Sequence, residues 1–271
     1  MSPSRIPPVP AVLRLVQTAV LGRWRVTGED LFREVALLTE AGAGREMLVS
    51  GCGSGVLTEW LALRAGASVT GVDPDADAIE RADAQARALA PAVSLHYEQA
   101  PLDDLPHETE VFDVAIGEPA LSAAEHPERA VAELSRVTKP MGIVLLLQPT
   151  WTSEHAPDAR EEIVERLGLR PHLLVEWKQM LRDAGIVELQ VQDWTSRAPS
   201  TRAGGDAAGA TPLLTWRQKA QIVGRAWRRW GWRGARGAVA RETALLRILS
   251  RERSIGFQLI RGVKWPHPVE A

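Results

Sequence analysis

Three glycines at alternate positions, Gly51, Gly53 and Gly55, follow an apolar run that begins at Met47 and precede a stretch of helical spacing. Such a turn lets the backbone approach a ligand without Cβ interference, and the helix after it presents unpaired N–H groups. The pattern suits a nucleoside or nucleotide; a purely structural turn packed on its helix competes with that reading. Asp73 ends the next apolar run, ASVTGVD, where a carboxylate can accept hydrogen bonds from both hydroxyls of a ribose lying across the first turn. The competing role for Asp73 is to cap the following helix, which Pro74 and Asp75 can begin instead. Glu118, in GEPAL, could serve as a base, orient an acceptor or stand as a solvated loop carboxylate. His155, in QPTWTSEHAPD, has the acid–base range to deprotonate a hydroxyl or amine, and is preferred over His126, which is placed to begin a helix. Trp151 could wall an apolar or cationic acceptor, or belong to the core.

The elements that must hold these residues alternate between apolar runs and helix-period segments, which predicts a parallel sheet with helices on both faces. Strands are expected near 46–50, 68–72, 93–97, 111–116 and 142–148, with helices over 57–65, 75–89 and 127–137. Two further helices, a stop at Gly185 and a strand over 187–194 follow, and SIGFQLIRGVKW closes the chain as another strand. The fold class is therefore α/β: a doubly wound, seven-stranded, mostly parallel sheet with an antiparallel last strand. Four segments are expected: a helical N-terminal cap (1–45), the core (46–195), a loop with a helical insertion (196–253), and the final strand with its tail (254–271).

Composition narrows the class. The 271 residues are 45% hydrophobic and carry a net charge of −2, an ordinary balance for one large domain with an elaboration and no global reason to expect nucleic acid. Cys52 is the only cysteine, which excludes an intrachain disulfide and fits a reducing, cytoplasmic setting. The apolar N-terminal stretch is interrupted by Arg14 and is expected to be a capping helix, not a signal peptide. No run of about 18 apolar residues occurs to span a membrane.

Four stretches resemble the class I S-adenosylmethionine-dependent methyltransferases: LVSGCGSG, VTGVDPDADAIERA, FDVAIGEPAL and ELSRVTKPMGIVLLLQP. The last is the most discriminating, because a nicotinamide-binding domain would lack its KPxG turn. The resemblance implies that S-adenosylmethionine is the cofactor, leaving as S-adenosylhomocysteine. It places Gly51, Cys52, Gly53 and Gly55 along the methionine and ribose, and Asp73 on the ribose hydroxyls. Pro74 and Asp75 would border the adenine, Gln99 and Ala100 would lie where relatives contact its amino group, and Glu118 would close the same pocket. Val49 departs from the pattern, since many relatives carry an acid there. A non-catalytic protein that keeps the fold and the adenosyl pocket is therefore the alternative to an enzyme.

The acceptor is expected to be a small organic or lipid-like molecule. GEPAL differs from the motif with which several base methyltransferases hold a nucleobase, no metal-ligating constellation occurs, and one cysteine is too few to capture arsenic. Residues 213–253 carry a net +9, the remainder −11, and four of the ten tryptophans. Three readings stand for this insertion: a solvated helix pair, a lid over the acceptor, or a peripheral contact with an anionic membrane.

Overall fold

The computed structural model describes residues 29–89, 93–152, 169–194 and 255–266, with single positions among 160–164 and 227–236. The chain divides into two compact units. The first comprises residues 27–151, 171–197 and 256–271. The second comprises 1–26, 152–170 and 198–255. His155, most of the N-terminal cap and nearly all of the basic insertion lie outside the described residues.

The first unit is built on an eight-stranded sheet. In chain order its elements are α1 (Glu29–Leu38), β1 (Glu46–Ser50), α2 (Val56–Trp60), β2 (Ser68–Asp73), α3 (Ala76–Leu89), β3 (Leu95–Gln99), β4 (Phe112–Gly117), α4 (Pro127–Val137), β5 (Thr138–Trp151), β6 (His172–Leu173), α5 (Leu174–Asp183), β7 (Ile186–Asp193) and β8 (Ile255–Lys264). Seven strands run in the order β3-β2-β1-β4-β5-β8-β7, and β6 pairs with β5 off that path. The pairs β1·β2, β1·β4, β2·β3 and β4·β5 are parallel, whereas β7 and β8 are antiparallel.

Burial follows position in the sheet. Met47, Leu48, Val49 and Ser50 of β1 are all fully buried, as are Val114 to Ile116 of β4 and Val144 to Leu146 of β5. Helices cover both faces there, so these strands read as continuous apolar runs. Edge strand β3 has no fully buried residue: Leu95 and Tyr97 are half-buried and the other three are exposed. On α4 the buried residues Ala130, Val131, Leu134 and Val137 recur at helical spacing and join Trp177 and Leu181 of α5 in one core.

Local chemistry explains where several boundaries differ from the sequence expectation. The helix over 57–65 is α-helical only to Trp60 and continues as one π turn, Leu61–Ala65. β3 begins two residues late, at Leu95. β5 starts at Thr138, directly after α4, because Thr138 already pairs with Phe112 of β4; the KPMG turn forms the irregularity before pairing resumes at Ile143, opposite Val114. Met141 there takes a left-handed φ of 62°, and a Cβ on Gly142 would come within 2.8 Å of the Asp113 and Lys139 carbonyl oxygens. Lys139 ties this turn down by donating to Asp113 Oδ1 at 2.9 Å. β6, only two residues long, has too little pattern to be read in advance.

Candidate functional site

Parallel register brings the carboxyl ends of β1, β2 and β4 together: Ser50 lies opposite Val72 on one side and Gly117 on the other. Ligand crevices form at such ends, where the chain must leave each strand for its helix. The three glycines occupy left-handed φ values of 78°, 54° and 79°, but for different reasons. A Cβ on Gly51 would stand 2.6 Å from that of Ala120, so this residue lets the turn pack on the segment after β4. A Cβ on Gly55 would overlap the hydroxyl of Tyr97. Among the described residues, a Cβ on Gly53 would meet nothing within 4 Å, which leaves that side of the turn open.

Tyr97 is a site residue that reading the sequence missed. Its hydroxyl donates to Gly55 O at 3.2 Å, and its ring lies 2.7 Å from where a Gly71 Cβ would be. The β2·β3 register sets Tyr97 opposite Gly71, so a lone tyrosine facing a strand glycine was the available signal. Burial pushes its phenol well above the ordinary range, and it acts as a brace under the turn. Gly55→Ala is expected to cost about 1–2 kcal/mol from the left-handed backbone alone. Displacing Tyr97 adds to that, so thermal melts should show a smaller penalty for the same change in a Tyr97→Ala background.

Asp73, 7% exposed, ties two loops together. Gly53 N donates to its Oδ2 at 2.8 Å and Asp75 N to its Oδ1 at 2.9 Å, so the carboxylate both braces the glycine turn and starts the next loop. Asp75 in turn accepts from Asp77 N at 3.1 Å and opens α3. Gln99, at the end of β3, donates its Nε2 to Pro74 O at 3.3 Å. Pro74, Gln99 and the buried Ala100 are thereby gathered beside Asp73, whose carbonyl accepts from Ala100 N at 3.4 Å.

Glu118 leaves β4 in extended conformation and precedes a 3-10 turn, Pro119–Ala123. Its amide donates to Ser50 O at 2.9 Å. Gln148 of β5, fully buried, donates Nε2 to Gly117 O at 3.0 Å and to Glu118 O at 2.8 Å, and accepts from Ser122 Oγ at 2.8 Å. That clamp was also not foreseen; an amide inside an apolar strand was its only trace. Glu118 Oε1 is buried and has no hydrogen-bond partner among the described residues. Burial, followed by the Asp73 charge, pushes its carboxyl up to about 8.

Cys52 is buried, and burial with the Glu118 and Asp73 charges drives its thiol far above the usual range. It packs in the turn and is no nucleophile. His126 does stand at the start of α4, without a side-chain cap bond and 3.4 Å from Glu128. Trp151 is 6% exposed, as its core reading requires.

Residues 48–146 match the protein family described as "Methyltransferase domain". Over 103 residues the chain is 39% identical to a ubiquinone biosynthesis O-methyltransferase of Pseudomonas syringae pv. tomato, covering 38% of this chain and 43% of that protein. The chain thus spans less than half the length of that curated relative. Among solved structures, the cyclase SpnF superposes with a TM-score of 0.68 at 22% identity, over 88% of this chain and 81% of the other. Geranyl diphosphate C-methyltransferase from Streptomyces coelicolor A3(2), solved with S-adenosyl-L-homocysteine, superposes with a TM-score of 0.61 at 16% identity, over 86% and 78%. Residues 48–146 thus resemble a methyltransferase domain, on a fold shared with methyltransferases of known structure. At such identities the structural neighbours speak for the fold alone, and one of them is a cyclase.

Proposed function

We propose that the chain transfers a methyl group from S-adenosylmethionine to an oxygen of a small organic or lipid-like acceptor. The observation that carries this reading is the joining of the open Gly53 to Asp73 by a 2.8 Å hydrogen bond. The residues present fit an adenosyl group. Gly53 leaves room for backbone approach, Asp73 is oriented by two amides, and a buried carboxyl oxygen of Glu118 lacks a partner in the same crevice. Asp73 would hold the ribose hydroxyls; Pro74, Gln99 and Ala100 would border the base; Gly51, Cys52, Gly53 and Gly55 would line the remainder. Bound there, the cofactor supplies a methyl carbon already made electrophilic by its sulfonium.

The chain's own contribution is then positioning, which can supply much of the acceleration for a preassembled displacement. The oxygen acceptor is supported by the Pseudomonas relative's own name. His155 remains the proposed base for removing the acceptor's proton. A non-catalytic adenosyl-binding protein is the second reading, favoured by Val49, which is fully buried and brings no acid to the turn. Incubation with methyl-labelled cofactor and a panel of phenols, hydroxy acids and lipid alcohols separates the two. Cofactor binding without label transfer to any acceptor would favour the second.

For a lipid-like acceptor, the proposal extends to contact between residues 213–253 and an anionic surface. Its net charge of +9, with Trp227 and Trp232 at 62% and 68% exposure, supports that contact. Sedimentation with phosphatidylglycerol vesicles is expected to pull the protein down at low salt. Binding should fall at high salt and in a Trp227→Ala, Trp232→Ala double variant; equal recovery with phosphatidylcholine alone would refute the contact.

A further inference from the structure

Glu118 is half-buried with its Oε1 fully buried, and among the described residues it has no counter-charge. Its backbone is fixed by the Ser50 carbonyl, the Gln148 amide and the amide of Leu121, which donates to Glu118 O at 3.1 Å. Only the side chain is left to move. The ionisable groups whose charges act on it or feel it are Asp73 from the end of β2, Cys52 from the glycine turn and Tyr97 from β3. Each of these is anionic or neutral. No lysine or arginine among the described residues pairs with Glu118, and its Oε1 has no hydrogen bond at all. An ionised carboxylate in that setting is strongly unfavourable unless a cation arrives to meet it.

The crevice lacks charge where it would otherwise be expected. Val49 on β1 is fully buried between Gly71 and Ile116, so it presents neither charge nor hydrogen bond. Glu118 stands one residue beyond the Ser50–Gly117 pair, and its segment touches the glycine turn through Ala120 and Gly51. It is therefore at the mouth of the same turn, reached from β4 instead of β1.

Resting on the adenosyl reading above, we propose that Glu118 is the counter-ion for a cationic centre, sulfonium or ammonium, on the ligand held by the glycine turn. The carboxyl sits at about 8 in the free protein, so near neutral pH it carries a proton. A bound cation favours the ionised form and sends that proton to solvent. Affinity for the cation rises with pH and levels off above the carboxyl's free value. The free protein shows the opposite trend. An unfolded chain releases this proton near the ordinary glutamate value of about 4.3, so the native state binds more protons between there and about 8. Stability of the free protein therefore falls across that window, and Glu118→Gln removes the slope.

Calorimetry with three probes separates the sources of positive charge. S-adenosylmethionine carries both cations, S-adenosylhomocysteine the ammonium alone, and 5′-methylthioadenosine neither. At neutral pH the wild-type protein is expected to release close to one proton on binding S-adenosylmethionine, read from the dependence of the heat on buffer ionisation enthalpy. Glu118→Gln should weaken S-adenosylmethionine roughly 30-fold, the lower end for breaking a buried charge pair. It should leave methylthioadenosine within about twofold and abolish the proton release. A loss shared by S-adenosylhomocysteine assigns the partner as the ammonium; a loss confined to S-adenosylmethionine assigns it as the sulfonium. Equal loss for all three probes would mark Glu118 as a merely structural residue and overturn the proposal. So would wild-type binding with no proton release and no effect of the substitution, an outcome that leaves the adenosyl reading standing. Failure of the wild-type protein to bind even methylthioadenosine overturns both.

Discussion

Asp73→Ala is expected to weaken S-adenosylmethionine binding at least about 100-fold, and to do the same to S-adenosylhomocysteine and 5′-methylthioadenosine, which share the ribose. Two hydrogen bonds to a charged acceptor are lost, each worth about 1.5–3 kcal/mol. The substitution also frees Gly53 N and Asp75 N, so the turn loses the brace that shapes it before any ligand arrives. Asp73→Asn distinguishes these contributions. It keeps one acceptor oxygen for the turn and removes the charge, so it should melt closer to wild type while still binding all three adenosyl compounds weakly. The pattern across probes is the diagnostic: in the proposed roles Asp73 would act on the sugar common to all of them, whereas Glu118 would discriminate by charge. If Asp73→Ala binds within a few fold of wild type, the ribose assignment is wrong and the adenosyl reading goes with it.

Trp177→Ala is expected to be the most destabilising single change in the described core. Trp177 on α5 is fully buried, stacks edge-on against His172 at a centroid separation of 5.1 Å, and packs with Leu134 and Val137 of α4 and Ile186 of β7. Large aromatic truncations of this kind cost about 3–5 kcal/mol, because the lost transfer energy is joined by the cavity left behind. That is a large share of the roughly 5–15 kcal/mol that separates folded from unfolded domains. Trp177→Phe fills most of the space and removes a buried indole N–H that has no partner, so it should recover most of the loss. Denaturant unfolding monitored by circular dichroism measures both. A Trp177→Ala midpoint equal to wild type would mean that α5 does not support the sheet as described. Because α5 is remote from the glycine turn along the chain, folded fractions of either variant should still bind the adenosyl probes.

The two substitutions divide the molecule as its physics does. Stability rests on apolar contacts spread over both faces of the sheet, whereas the proposed recognition would rest on a few polar atoms at the carboxyl ends of β1, β2 and β4. Those ends are where backbone ladders stop and side chains meet without a helix above them. Gln148 belongs to both systems. It is buried inside β5, yet its amide spans the Gly117 and Glu118 carbonyls and fixes the line along which the Glu118 side chain leaves the strand.

Much of this was legible in the residues themselves. Continuous apolar runs name central strands because both faces are covered, and β1 lies at its expected bounds for that reason. The glycine turn and Asp73 could be joined in advance because parallel strands linked by a helix bring their carboxyl ends to the same side. Edge strand β3 was placed two residues early: its mixed burial blurs the period that marks a strand. The two residues of β6 carry no period at all.

The sequence alone determined the α/β class, the strand–helix alternation, the glycine turn and the acid after β2, because these depend on local periodicity and on backbone chemistry that only glycine permits. Tertiary structure decided which glycine stays open, since that depends on Tyr97 and Ala120 arriving from β3 and from the segment after β4. It also decided that Glu118, which from its neighbours in the chain reads as a solvated loop acid, is half-buried within reach of the Asp73 charge, with a buried Oε1 that has no partner among the described residues. Desolvation and charge proximity are properties of what surrounds a group in space, and no spacing along a chain records them.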